Sequence, residues 1–144
     1  MARITVERVT SRQPPETRPL AARLRLGSAQ QHVLLTDTTA GNFGNDIGPD
    51  AHDFYDAALA SCKVLTLLWY ARKKGLPVGD VQAVIESDNS REREGIYTLS
   101  ARLTISGDLS DAQLRELQSV AEKCPVHKLM TKVTTEIRTT VERA

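Results

Sequence analysis

The chain has 144 residues, enough for one domain with a sizeable core, and its hydrophobic fraction of 40% and charged fraction of 26% are those of a globular protein. A formal net charge of +1 and an aromatic content of 4% leave no electrostatic or base-stacking footprint for nucleic acid or an acidic membrane surface. The opening MARITVERVTSRQ lacks the apolar stretch of a secretory signal, and no later run offers the roughly 20 apolar residues of a membrane span.

Arg3 to Thr10 alternates polar and apolar residues and is rich in β-branched ones, so it reads as a half-buried strand. Ser11 to Pro19, with three prolines, reads as a loop. In Leu20 to Leu26, Ala22, Leu24 and Leu26 share one face, and Arg23 and Arg25 share the other. Gly27 to Gln31 reads as a hairpin connection, and His32 to Thr36 as the third strand of an antiparallel meander. Asp37 to Pro49 is a polar loop with Gly41, Gly44 and Gly48. Their spacing fits no dinucleotide or phosphate loop, and they are expected at positive φ.

From about Asp50 to Gly75 runs a helix whose middle, Ala57 to Tyr70, is mostly apolar on nearly every side, interrupted by Lys63 and Thr66. Asp50 or Asp53 can cap its start, and Arg72, Lys73, Lys74 and Gly75 suit its end. Val78 to Ser87 and Gly95 to Ser106 follow as a long strand pair around a charged turn. Ser110 and Gln113 form a capping-box pattern that opens a second helix, with Leu114, Leu117, Val120 and Ala121 as its apolar stripe. Pro125 opens a short third helix, and Val133 to Val141 reads as a closing strand. Grouped strands and helices predict an α+β fold in a single domain, 1–144. One small sheet cannot cover a helix that is apolar all round, so an intimate homodimer is expected, with the two long helices packed together.

Cys62 lies inside the apolar helix, and Cys124 precedes the proline that opens the third helix. Two cysteines with no export signal predict reduced thiols in the cytoplasm, and the plainest use of such residues is as inert core packing. Helix-terminal N–H groups favour a thiolate at Cys124, whereas desolvation disfavours one at Cys62. A reactive Cys62 would need a cation; Arg23 and Arg25 are candidates, unless they only solvate their strand face. Cys124 and His127 share a Cys-x-x-His spacing that Cys62, His52 and His32 can extend. A structural zinc site uses paired ligands at two short spacings, and Cys62 lacks such a neighbour, so neither metal nor cofactor is expected.

GPDAHDFYDAALASC, the following KVLTLLWYARKKGLP, and SVAEKCPVHKLM resemble the OsmC/Ohr family of thiol peroxidases, in particular its OsmC-like branch. The resemblance runs from about His32 onward. It implies an intertwined homodimer in which antiparallel sheets wrap the long central helices. It also implies that Cys62 attacks an organic hydroperoxide, that Cys124 resolves the product as a disulfide, and that a dithiol of lipoyl or thioredoxin type reduces the pair. Family members further use an arginine from an N-terminal strand, matched by Arg23, and an acid before the helix, matched by Asp53. The chain departs from the branch pattern at Ala51, which replaces a proline. Moreover, nine residues of straight helix turn Asp53 about 180° from Cys62, unless the helix begins after Asp53. Two alternatives stay open: a non-catalytic protein that binds a small lipophilic ligand in the dimer cleft, and a structural module with inert thiols.

Overall fold

The computed structural model describes residues 4–8, 20–27, 30 and 32–144. The expected loop from Ser11 to Pro19 lies outside them, as do the ends of the first expected strand and most of the Gly27 to Gln31 connection. The chain forms two compact units, Met1–Tyr55 and Asp56–Ala144.

In the first unit, β1 (Thr5–Arg8), β2 (Ala22–Leu26) and β3 (His32–Thr36) form an antiparallel sheet in that order, with Leu24 opposite Val6 on one side and Leu34 on the other. Leu24 is buried while its strand neighbour Arg23 is exposed, as alternation on a pleated strand requires. The loop after β3 folds back on Asp37. Its carboxylate accepts hydrogen bonds from the backbone N–H groups of Thr38 at 2.8 Å, Asn45 at 3.0 Å and Ile47 at 3.3 Å. The loop glycines do not take the positive φ expected of them; Phe43 and Asp46 do. Close approach explains Gly44 instead, since a Cβ there would lie 1.9 Å from the Thr38 carbonyl oxygen. The unit ends in the first turn of α1 (Ala51–Lys74). There Asp50 and Asp53 cap each other, each carboxylate accepting the other's backbone N–H at 2.9 Å.

The second unit holds the rest of α1, the antiparallel pair β4 (Val78–Asp88) and β5 (Thr98–Gly107), α2 (Asp111–Glu122) and α3 (Pro125–Thr131). α1 ends as its sequence dictates: Gly75 adopts φ 67°, and the N–H groups of Gly75 and Leu76 return to the carbonyls of Arg72 and Ala71. Ser110 and Gln113 form the expected capping box of α2. Leu67 of α1 and Leu117 and Ala121 of α2 form the core, with Val81, Leu103 and Ile105 of the sheet packed against them.

The buried residues of α1 are Leu59, Lys63, Leu67 and Ala71, a single i, i+4 stripe. The opposite face is open: Leu65 is 65% and Trp69 62% exposed, because the strand pair, α2 and α3 reach only one side. The strand expected over Val133 to Val141 does not form: a strand exists through its ladder, and this segment pairs with no strand of the described chain.

Candidate active site

Cys62 projects from the middle of α1 and is half-buried. Its sulfur accepts the backbone N–H of Val126 at 3.4 Å and lies 3.9 Å from the Thr66 hydroxyl, one turn along the same helix. Val126 sits in the first turn of α3, where backbone N–H groups have no partner within the helix. Cys124 is the N-cap of that helix. The following proline forces it into extended backbone (φ −61°, ψ 143°), and Pro125 opens the helix at no loss of a hydrogen bond. Its side chain makes no cap hydrogen bond and is fully buried, at 0% exposure. Burial pushes the Cys124 thiol above its ordinary value. The backbone N–H of His127 pulls it down, the neighbouring Cys62 thiol pushes it up, and the Lys63 ammonium pulls it down. Both thiols are free, and each is within interaction range of the other.

Lys63 is the site residue that sequence reasoning passed over. It is only 5% exposed, and its ammonium donates to the Ala121 carbonyl oxygen at 2.8 Å and to Nδ1 of His127 at 3.2 Å. An ammonium has donors only, so Nδ1 of His127 accepts and the imidazole proton sits on Nε2. The signal was in the spacing. Lys63 stands at i+4 from Leu59 and i−4 from Leu67, inside the buried stripe, whereas the cations at the end of the helix, Arg72, Lys73 and Lys74, are exposed.

The structure thus brings Cys62, Cys124, Lys63 and His127 together within the second unit. Arg23 is exposed on β2 in the first unit, in register with Glu7 and Leu35, and Arg25 is half-buried on the same strand. Asp53, also in the first unit, has its carboxylate engaged in the cap of α1. Among the described residues no group of three or more His, Cys, Asp or Glu side chains can hold a metal ion. No helix of the described chain is long and apolar enough to cross a membrane. Beside Lys63, an open pocket of ≈ 460 Å³ lies between β5 and α2, lined by Leu67, Leu103, Ile105, Leu114 and Leu117. Neither sulfur lines it.

Comparison with solved structures supports the same fold. An OsmC-like protein from Mycoplasma pneumoniae superposes with a TM-score of 0.65 at 16% identity, over 92% of this chain and 89% of that one. The organic hydroperoxide resistance protein OhrB of Bacillus subtilis gives 0.53 at 17% identity, over 92% and 91%. An organic hydroperoxide resistance protein OsmC from Legionella pneumophila gives 0.55 at 13% identity, over 90% of each chain. No curated protein matches the sequence. The sequence model described as "OsmC-like protein" matches residues 44–140, a span that holds both cysteines, Lys63 and His127, and the chain therefore belongs to the OsmC-like protein family.

Proposed function

We propose that this chain is a thiol peroxidase that reduces organic hydroperoxides in defence against oxidative stress. The observation that carries the reading is the meeting of two free thiols from distant parts of the chain, one of them accepting the Val126 N–H. The Cys62 thiolate attacks the distal peroxide oxygen. A sulfur–oxygen bond forms, the oxygen–oxygen bond breaks, and the alkoxide leaves as alcohol after taking up a proton. Cys124 then condenses with the Cys62 sulfenic acid, giving a disulfide and water. An external dithiol of lipoyl or thioredoxin type returns both thiols by exchange. Arg23 and Asp53 enter as the helper arginine and acid that the family resemblance implies. The reaction is assigned to the cytoplasm, where thiols stay reduced.

The working unit of this reading is a homodimer of one domain per chain, 1–144. Its support is the open apolar face of α1 at Leu65, Leu68 and Trp69 and the unpaired segment with exposed Val133, Ile137 and Val141. Sedimentation should give twice the chain mass, and Leu65→Glu with Trp69→Glu should halve it. A monomeric wild type would end the dimer.

The test of the chemistry is cumene hydroperoxide consumption with a synthetic dithiol. Cys62→Ser should lose on the order of a thousandfold or more, as removal of a nucleophile does. Equal rates would overturn the assignment. The apolar pocket beside Lys63 favours a second reading, a binding protein for a small lipophilic ligand. Intact mass after one equivalent of hydroperoxide separates the two: loss of two hydrogens means catalysis, and unchanged thiols mean binding.

A further inference from the structure

The resolving half of this cycle poses a physical problem. Cys124 is fully buried, so ionising it costs desolvation, yet the thiolate is the form that attacks. Lys63 presents the complementary problem. It is a buried ammonium whose two acceptors, the Ala121 carbonyl and the His127 imidazole, are both neutral. Among the described residues no carboxylate is ion-paired with it. Neutral acceptors satisfy its protons but not its charge, and an uncompensated buried charge is costly. The groups beside it that can become anions are the two thiols, and at Cys124, whose neighbours Ala121 and His127 hold the ammonium, the Lys63 charge favours the thiolate.

Placement adds a second argument. The acceptors of Lys63 straddle Cys124: Ala121 lies in the last turn of α2 and His127 in the first turn of α3. Lys63 itself follows Cys62 on α1. One side chain therefore ties the α2–α3 elbow, which carries Cys124, to the helix that carries Cys62.

From this geometry we infer that Lys63 is a positioning residue for disulfide closure, holding the elbow against α1 and serving as counter-cation to the Cys124 thiolate that attacks the Cys62 sulfenic acid. The inference rests on the thiol-peroxidase reading. In the step it assists, a bond forms between the two sulfurs and the sulfur–oxygen bond of the sulfenic acid breaks. The departing hydroxide takes up the proton lost by Cys124 and leaves as water.

The experiment follows the two half-reactions separately in wild type, Lys63→Gln and Lys63→Arg. Glutamine keeps a donor for Ala121 but no charge, and arginine keeps the charge. After one equivalent of cumene hydroperoxide, sulfenic acid is trapped with dimedone and disulfide is read by intact mass. K63Q should slow closure by about tenfold, the effect of one unit of thiol acidity, and slow Cys62 oxidation by less than about twofold. K63R should restore most of the closure rate. Should K63Q not fold, His127→Asn loosens the clamp from its other end and should show the same split. Unchanged closure, or an equal fall in both half-reactions with a lower melting temperature, would reduce Lys63 to a packing residue.

A separate arm needs no peroxide. In a Cys62→Ser background at about pH 8.5, the ordinary thiol value, the thiolate absorbance of Cys124 should fall when Lys63→Gln is added. If wild type ignores hydroperoxide but this absorbance falls, the peroxidase reading fails and the charge role stands. If wild type turns over and the absorbance is unchanged, the counter-cation alone is overturned.

Discussion

Among the described residues two side chains of opposite charge are buried, Asp37 at 7% exposure and Lys63 at 5%, and they are held in different ways. Asp37 is satisfied by three backbone N–H groups of its own loop, none more than ten residues away. Lys63 is satisfied from distances of 58 and 64 residues along the chain. The difference separates structure from chemistry. Three charge-dipole hydrogen bonds hold the Asp37 carboxylate in its ionised form and lower its pKa. Lys63 has neutral partners and a thiol beside it, and its charge is left available.

The strongest way to break this contrast is to remove what holds the elbow. Leu117 is fully buried on α2, one turn before Ala121. Leu117→Ala should cost about 2–5 kcal/mol in denaturant unfolding, the usual range for a large-to-small core change. Hydrogen exchange should show protection lost around Ala121 and Val126. The Asp37 loop, held by its own hydrogen bonds, should lose less protection than the elbow. Equal loss in both places would mean that Asp37 depends on distant packing as Lys63 does, and the contrast would fail.

How much of this was legible in the sequence follows the same division. The capping box at Ser110 and Gln113, the glycine stop at Gly75 and the proline opening after Cys124 are written within a few residues, and all three are as read. The meander of β1, β2 and β3 was legible because short alternating or β-branched runs stand between turn and proline signals, and in β2 the alternation reports a buried Leu24 beside an exposed Arg23. Lys63 was legible only in its spacing from Leu59 and Leu67, because charge breaks an apolar pattern on paper and its burial depends on acceptors that only the fold delivers. The Asp37 loop misled for a related reason. Three returning N–H groups set its course, and they place Phe43 and Asp46, not the glycines, at positive φ. At Val133 to Val141 the strand pattern is present, but pattern alone supplies no edge to pair with.

The smallest expected effects set the two buried groups at opposite ends of the pH scale. The N–H of Thr38, and after it those of Asn45 and Ile47, hold the Asp37 carboxyl below its ordinary value against the opposing cost of burial. Its stabilising contribution is therefore present above the ordinary aspartate range and is lost as pH falls through the folded value. Burial does the reverse at Cys124, raising a group whose protonated form is neutral. The fold favours the thiol, so that contribution is present below the ordinary thiol range and is lost as pH rises through the folded value. Acid should loosen the loop first, seen as faster exchange at Thr38, Asn45 and Ile47 after correction for the intrinsic pH dependence of exchange. Alkali should lower the melting temperature through Cys124, and this fall should be absent in Cys124→Ala. The same ionisation supplies the attacking thiolate, so disulfide closure should accelerate over the alkaline interval in which stability declines. A closure rate flat across that interval would show that Cys124 is already ionised when it attacks, and that the electrostatic support beside it is stronger than burial.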